Sequence, residues 1–358
     1  KSKSGYVYRY KKVDIENISN HNLDIIIRSC SGILKGEILK VSKFGIISFH
    51  HADNRINRGA PPGFWEIINK SPKTGFTIQV LTEELDGGMV LKRGNFMTKS
   101  TFSLNQVYLY CKANYYMKEI LEFIIKNKKL PIYSDSIPYS NPLYTLPTIR
   151  FQFKYLAYLI KYVIKNLIQS KLLNQDYRWN ISYSFTNWKK LALWKSIKIE
   201  NLPGRYFADP FVVKEREKYY IFVEDYCYKS KLGSISVLIL TKDGIQSMNS
   251  AIKESFHLSY PSIFKYNSTY YMTPESQDNE DIRLYKCVNF PDQWELERII
   301  MKDVKAVDPT IFFHNDLWWL FVNIDPTGIG KYNCSELFIF WSNDPIKGSW
   351  ESHKQNPI

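Results

Sequence analysis

No two of the five cysteines stand close together. Cys30, Cys111, Cys227, Cys287 and Cys334 are dispersed and odd in number, and no C-x-x-C occurs. That spacing offers neither a zinc site nor a redox pair, and no metal is expected. Dispersed thiols without a disulfide framework suit a reducing compartment, so a cytoplasmic location is expected. No run of 18 apolar residues is present, and no membrane-spanning helix is expected. The opening residues KSKSGYVYRY lack the apolar core of a signal peptide. Lysine and arginine (48) outnumber aspartate and glutamate (35), for a net charge of +13, yet no Lys/Arg block is found. A basic balance points to anionic partners such as nucleotide-linked substrates or acidic lipid, but its scatter argues against nucleic acid and favours a plain solvated basic surface. The oligomeric state is not legible in the sequence.

What is present is enough chain for two domains, 358 residues, with 44% hydrophobic residues. Aromatics reach 16%, including 26 tyrosines and 9 tryptophans, which suits β-rich architecture or surfaces that stack on sugars. Residues 1–130 alternate strand-like and helix-like segments. LDIIIR (23–28) has a buried-strand pattern, and residues 31–39 read as loop into helix. FGIISF (44–49), GFTIQVL (75–81) and a segment from Met89 read as further strands. GFWEIIN (63–69) and residues 112–130 have helical spacing. Such alternation predicts an α/β layer structure, whose ligands sit beyond the carboxyl ends of strands.

Residues 131–178 read as a proline-rich linker followed by an amphipathic helix over 151–173. On that helix Lys154, Lys161 and Lys165 share one face, and Leu156, Leu159, Val163 and Leu167 lie opposite. Two readings stand: a helix packed on one domain with its lysines in water, or a basic helix resting on an anionic membrane surface.

Residues 179–358 repeat. FADPFV (207–212), SYPSIF (259–264) and VDPTIF (307–312) place prolines at 210, 261 and 309. Each is followed by an aromatic strand (KYYIFVEDY, TYYMTPES, LWWLFVNID) and then another (SISVLIL, IRLYKC, ELFIFWS). A period near ~50 residues with four strands per unit is the pattern of β-propeller blades. Three blades are legible. The ending GSWESHKQNPI reads as the start of another, and further blades are expected beyond it.

The chemistry-bearing stretch of the first part is GIISFHHADNRINRG (45–59), followed by ELDGG (84–88). It sets an imidazole, His50, within reach of a carboxylate, Asp86, that can orient it. With LDIII, GILKGEIL, PPGFWEI and TGFTIQVL in the same order, residues 23–94 resemble the folate-dependent formyltransferases, which include methionyl-tRNA, glycinamide-ribonucleotide and nucleotide-sugar enzymes. The resemblance implies a Rossmann-like domain whose opening half is not among the 22 residues before Leu23. It implies N10-formyltetrahydrofolate as formyl donor and an amine as acceptor. It also implies that His50 and the residue at 48 hold the oxyanion, while Asp86 orients the imidazole. Ser29, Cys30, Ser31, Gly32, Ile33 and Leu34 would match the loop whose main chain holds the pterin, and Gly87 and Gly88 would let the acidic loop wrap against it. A tight turn would use the same two glycines, and Arg58–Gly59 matches a structural turn.

One position departs from the family. Its asparagine is Ser48 here. A serine hydroxyl donates one hydrogen bond and is shorter than an amide. His51, Asn54 or a water are the expected substitutes; alternatively the module is inactive and kept for binding.

The repeats resemble the N-terminal propeller of glucosamine inositolphosphorylceramide transferase-like proteins and, more remotely, five-bladed glycoside hydrolases. The hydrolase resemblance implies carboxylates converging from successive blades: Asp209, Glu275 and Asp308, with Glu224 as a further candidate. A pair of them would act as acid and base on a glycosidic bond. Against that, Asp-Pro at a blade start can be a turn device, and Glu275 fits the repeat less well, which favours it as functional. Glycan binding without cleavage is the third option. The expected architecture is an incomplete α/β Rossmann-like formyltransferase domain followed by an incomplete all-β five-bladed-type propeller. The expected activity is formylation of an amino sugar, nucleotide-linked, in surface-glycan synthesis by the full-length parent rather than by these 358 residues alone. The alternative is a glycan-binding or glycan-processing propeller carrying an inactive formyltransferase module.

Overall fold

In a computed structural model the chain divides into two units, Lys1–Gln175 and Asp176–Ile358. The structure describes residues 6–29, 32–131, 141, 143–169, 178–328, 334 and 336–358.

The first unit is α/β. Its sheet comprises β1 (Ile26–Arg28), β2 (Ile46–His50), β3 (Lys73–Val80) and β4 (Met89–Met97), side by side in that order. β1 runs parallel to β2; the other pairs are antiparallel. After a first helix, α1 (Lys12–Ser19), come the short α2 (Phe64–Ile68), the long α3 (Phe102–Asn127) and α4 (Ile149–Leu167). Thr101 starts α3 by accepting the Leu104 amide on its side chain. Leu109, Ala113, Tyr116, Met117, Ile120 and Ile124 recur at helical spacing along α3 and pack on Ile47, Phe76, Ile78, Leu91 and Phe96 of the sheet. Gly94 is required there, since a Cβ would lie 2.2 Å from the Phe76 ring.

Three expectations for this unit need correction. β1 is the edge of the sheet and Ile27 is 45% exposed, so LDIIIR is not a buried strand. Residues 37–40 form a single 3-10 turn rather than a helix. The helix expected after a separate linker belongs to this unit. Phe151 and Tyr155 of α4 pack on Phe64, Trp65 and Phe102, and Tyr158 donates to the Ser100 carbonyl at 2.9 Å. That anchoring face is aromatic. The aliphatic face carrying Leu156, Ile160, Val163, Ile164 and Leu167 is left exposed. Residues 132–140, 142 and 170–177, which include Pro138 and Pro142, lie outside the described residues.

The second unit is all-β. Three four-stranded antiparallel sheets follow one another: β5 (Arg205–Glu215), β6 (Lys218–Cys227), β7 (Leu232–Thr241) and β8 (Gly244–Ile252); β9 (Ser259–Tyr266), β10 (Thr269–Ser276), β11 (Asp281–Asn289) and β12 (Gln293–Lys302); β13 (Ala306–His314), β14 (Leu317–Ile324), β15 (Glu336–Ser342) and β16 (Glu351–Ser352). Successive sheets pack face to face. Phe222, Ile235 and Val237 meet Met272 and Tyr285, and Phe264, Ile282 and Leu284 meet Ile311, Trp318 and Leu320. The last segment does not open a fourth sheet: β16 pairs with Phe340 and Trp341 and completes the third.

The repeated prolines have one physical role. In each first strand two residues drop out of the ladder, between Ala208 and Phe211, Ser259 and Ser262, and Val307 and Thr310. The omitted pairs are Asp-Pro, Tyr-Pro and Asp-Pro. Proline has no N–H to give a ladder, so it fits a bulge. The residue before it is left-handed each time: Asp209, Tyr260 and Asp308 have φ of 47, 46 and 56°.

Candidate functional site

In the first unit the sheet register sets the site. His50 ends β2, and Ser48 lies two residues earlier on the same face. Both are buried, at 7% and 1% exposure. The loop after β3 brings Asp86 back, with its Oδ1 3.4 Å from His50 Nδ1. On the other side of the ring, Nε2 donates to the Asn57 carbonyl at 3.0 Å, since a carbonyl only accepts. The imidazole is held between the Asp86 carboxylate and the Asn57 carbonyl, which fixes the plane and orientation of the ring. Asn57 in turn donates its amide to the buried Glu66 carboxyl at 3.3 Å, and burial raises the pKa of Glu66.

Asp86 feels opposing effects. Burial pushes its carboxyl up; the hydrogen bond from His50, with the charges of His50, Arg58 and Arg28, outweighs that and holds it below the ordinary value. The loop carrying it is pinned by buried Arg58, which donates to the Asn54 carbonyl at 2.9 Å and the Leu85 carbonyl at 3.1 Å. Asn54 donates to the Asp86 carbonyl at 3.1 Å and accepts from Arg93 at the same distance. Asn54 is therefore committed to the loop and is no substitute for the family asparagine. His51 is no substitute either. It stacks on Phe49 and meets Tyr110 edge-on, and burial, with the charge of His50, pushes its pKa down to about 4. It is a neutral aromatic wall.

Ser48, Phe49, His50, His51, Asp86 and Tyr110 line one cavity of about 780 Å³. Ser29, Gly32 and Ile33 line it too, whereas Leu34 pairs with Tyr8 beside it. Gly32 has φ 107°, and a Cβ there would lie 2.5 Å from the Tyr8 ring. Cys30 and Ser31 lie outside the described residues. Gly87 and Gly88 make the turn of the acidic loop. At Gly88 a Cβ would come 2.2 Å from the Val80 carbonyl oxygen, so tight chain reversal already requires that glycine.

Sequence reasoning missed Arg28. It stands beside Ser48 in the parallel register of β1 and β2, and its Nη1 donates to Ser48 Oγ at 3.0 Å. Its Nη2 donates to the Gly32 carbonyl. Its Nε is buried without a partner among the described residues. No spacing along the chain shows such a pair; only strand register does.

In the second unit the four carboxylates come together. Glu224 and Glu275 are raised to about 8, first by burial and then by neighbouring charge: Asp209 and Glu275 act on Glu224, and Asp308 and Asp209 act on Glu275. Burial also raises Asp209 and Asp308. Glu275 accepts the Asp308 amide at 3.4 Å. The ladder corrects one expectation. Phe211 pairs with Phe222 and Ser262 with Thr273, so Glu224 and Glu275 stand at the same place in their sheets, two residues beyond those partners. Glu275 does not fit the repeat less well. The third sheet has Asn323 there. His257 was not foreseen: its Nδ1 accepts the Gly233 amide at 2.9 Å, leaving Nε2 to donate to Glu224 at 3.4 Å. Tyr206 donates to the same carboxyl at 3.5 Å and stacks on Tyr226.

Comparison with known proteins follows this division. The chain is similar to two families, one in each part. Residues 188–358 match the family model described as "Glucosamine inositolphosphorylceramide transferase 1, N-terminal". The chain is 37% identical to glucosamine inositolphosphorylceramide transferase 1 of Arabidopsis thaliana over 159 residues, covering 44% of this chain and 20% of that protein. Its N-terminal part is similar to formyltransferases. Identity is 42% over 80 residues to methionyl-tRNA formyltransferase of Clostridioides difficile, covering 22% of this chain and 26% of that enzyme. It is 31% over 98 residues to the bifunctional polymyxin resistance protein ArnA of Wigglesworthia glossinidia brevipalpis, covering 27% and 15%. The chain thus spans about a quarter or less of the length of these relatives. Among solved structures, the family 117 glycoside hydrolase Zg3597 of Zobellia galactanivorans matches 43% of this chain and 57% of its own, at 16% identity and a TM-score of 0.35. That likeness adds nothing to the strand order seen directly.

Proposed function

We propose that the protein transfers a formyl group from N10-formyltetrahydrofolate to the amine of an amino sugar, nucleotide-linked, in glycan biosynthesis, on a Rossmann-like domain in the cytoplasm. The observation that carries this is His50 held beside an ionised Asp86 at the end of a strand, inside a 780 Å³ cavity. When substrate takes the place of the Asn57 carbonyl at Nε2, that N–H stabilises an oxyanion, and the carboxylate receives the proton shed by the attacking amine. The residues suit the donor. The uncharged His51 with Tyr110 offers an aromatic wall for a flat heterocycle. The sugar follows from the glucosamine in the name of the relatives of the second part and from formyl transfer in the names of those of the first. The test is an assay of the full-length protein with the folate donor and a panel of amino-sugar nucleotides. Transfer is expected to at least one, and transfer to none overturns the reading.

A second reading concerns the other unit, taken as a five-bladed-type propeller that binds or processes glycan beside an inactive formyltransferase module. Two carboxyls raised to about 8, beside Asp209 and Asp308, supply a protonated acid at neutral pH. Release of sugar from glycan oligomers by wild type, lost in Glu224→Gln and Glu275→Gln, together with absent folate binding, would favour it.

We also propose that α4 rests on an anionic lipid surface. Ile160 is 52% exposed in a row with Leu156, Val163, Ile164 and Leu167, Lys161 and Lys165 border that row along Ile164 and Ile168, and the helix contains no acidic residue. Sedimentation with phosphatidylserine-containing vesicles, but not with pure phosphatidylcholine, is expected. It should be lost when Lys161 and Lys165 become glutamate. Equal behaviour of the two vesicle types contradicts it.

A further inference from the structure

Ser48 takes away the amide that the resembled formyltransferases aim at the oxyanion. The structure sets a cation beside that serine. Arg28 lies beside Ser48 across two parallel strands, and its guanidinium lines the same cavity as His50 and Asp86. The guanidinium is fixed at two points, Ser48 Oγ and the Gly32 carbonyl. Ser48 is fixed in turn, since its hydroxyl also donates to the Phe49 carbonyl at 3.2 Å. The small serine leaves the guanidinium room that an asparagine would fill. Arg28 Nε remains without a partner among the described residues, in a place where an unpaired donor costs stability. Its charge already reaches the catalytic pair, since with Arg58 it helps to hold the Asp86 carboxyl below its ordinary value.

We propose that Arg28 stabilises the oxyanion of this site, its guanidinium receiving the negative charge that develops on the formyl oxygen during transfer. The inference rests on the formyl-transfer reading above. In the step itself, the acceptor amine's lone pair forms the new C–N bond as the carbonyl π pair moves onto oxygen beside Arg28 and His50. The pair returns as the bond to the donor nitrogen breaks. The acceptor nitrogen loses a proton toward Asp86, and the donor nitrogen gains one. A charged donor positioned before reaction needs no reorganisation when the charge appears, so it can replace an amide. Lysine would not be equivalent, because one nitrogen cannot take the two separate places of Nη1 and Nη2 at Ser48 and Gly32, and the fork that fixes the guanidinium is lost.

The test uses the full-length protein with Arg28→Ala, Arg28→Lys, Ser48→Asn and the double variant Arg28→Ala/Ser48→Asn. Arg28→Ala should lower kcat by about 10²–10³-fold with little change in KM for the donor. Ser48→Asn alone should bring no gain, because the amide displaces the guanidinium. The double variant should recover at least about tenfold over Arg28→Ala, the amide now doing the work that the cation did. A second readout needs no turnover: calorimetric binding of formate to the protein saturated with tetrahydrofolate. Formate affinity should fall at least about tenfold in Arg28→Ala and partly in Arg28→Lys, while tetrahydrofolate binding is unchanged. Wild-type formate affinity and kcat in Arg28→Ala would overturn the inference. So would an equal loss of tetrahydrofolate and formate binding in Arg28→Lys, which would mark a merely structural residue. If wild type transfers no formyl group, the functional reading fails by itself, and the formate measurement still decides the role of Arg28.

Discussion

Asp86 in the first unit and Glu224 with Glu275 in the second are all carboxyl groups taken out of water, yet they move in opposite directions. Burial raises each of them. Asp86 sits among His50, Arg58 and Arg28 and ends below its ordinary value; the two glutamates sit among Asp209, Asp308 and each other and rise to about 8. Burial alone therefore does not set the role of an acid. The sign of its neighbours does, and it makes one site a holder of negative charge and the other a store of protons.

The largest effects that would break this contrast lie at the clamped histidine. His50→Ala and Asp86→Ala should each lower formyl transfer by about 10²–10³-fold and leave the second unit's glutamates titrating as before. Steady-state rates and carboxyl NMR titrations check both halves. Next comes stability against pH. A carboxyl at about 8 in the folded state takes up a proton on folding at any pH between its unfolded value and 8. Its contribution is therefore present at low pH, lost as pH rises through that window, and flat above it. Asp86 runs the other way: its contribution is present at neutral pH and lost on acidification. Thermal melts should show the alkaline loss shrinking in Glu224→Gln/Glu275→Gln and the acid loss shrinking in Asp86→Asn. A smaller effect is expected from Arg58→Ala, about 1–3 kcal/mol by denaturant titration, because two main-chain carbonyls of the site lose a buried donor. The smallest is Tyr206→Phe, about 0.5–1.5 kcal/mol, with Glu224 titrating higher still, since the phenol favours the ionised form.

How far these sites were legible in the sequence follows from what holds them. His50 and Asp86 are each fixed by a local device, a strand end and a two-glycine turn, so order and spacing expose them. The carbonyl of Asn57 leaves no mark on residue type, and the pairing of Arg28 with Ser48 exists only through register. In the second unit the proline period correctly marks the first strands. It hid the equivalence of Glu224 and Glu275 because the two are surrounded by different residues, VED and PES, at one ladder position. The helix over 149–167 was legible as amphipathic. Its two apolar faces were not separated, since Tyr155 and Leu156 read alike as hydrophobic while the first packs on Phe64 and the second is exposed.

The central claim, transfer of a formyl group to an amino sugar with His50 and Asp86 in charge, is tested most directly with a donor carrying carbon-13 in the formyl group. Incubated with the full-length wild-type protein and amino-sugar nucleotides, it should place the label on the sugar nitrogen as a formamide, detected by NMR, and His50→Ala should abolish the signal. Labelled donor that stays intact with every acceptor, or equal transfer by His50→Ala, would contradict the account.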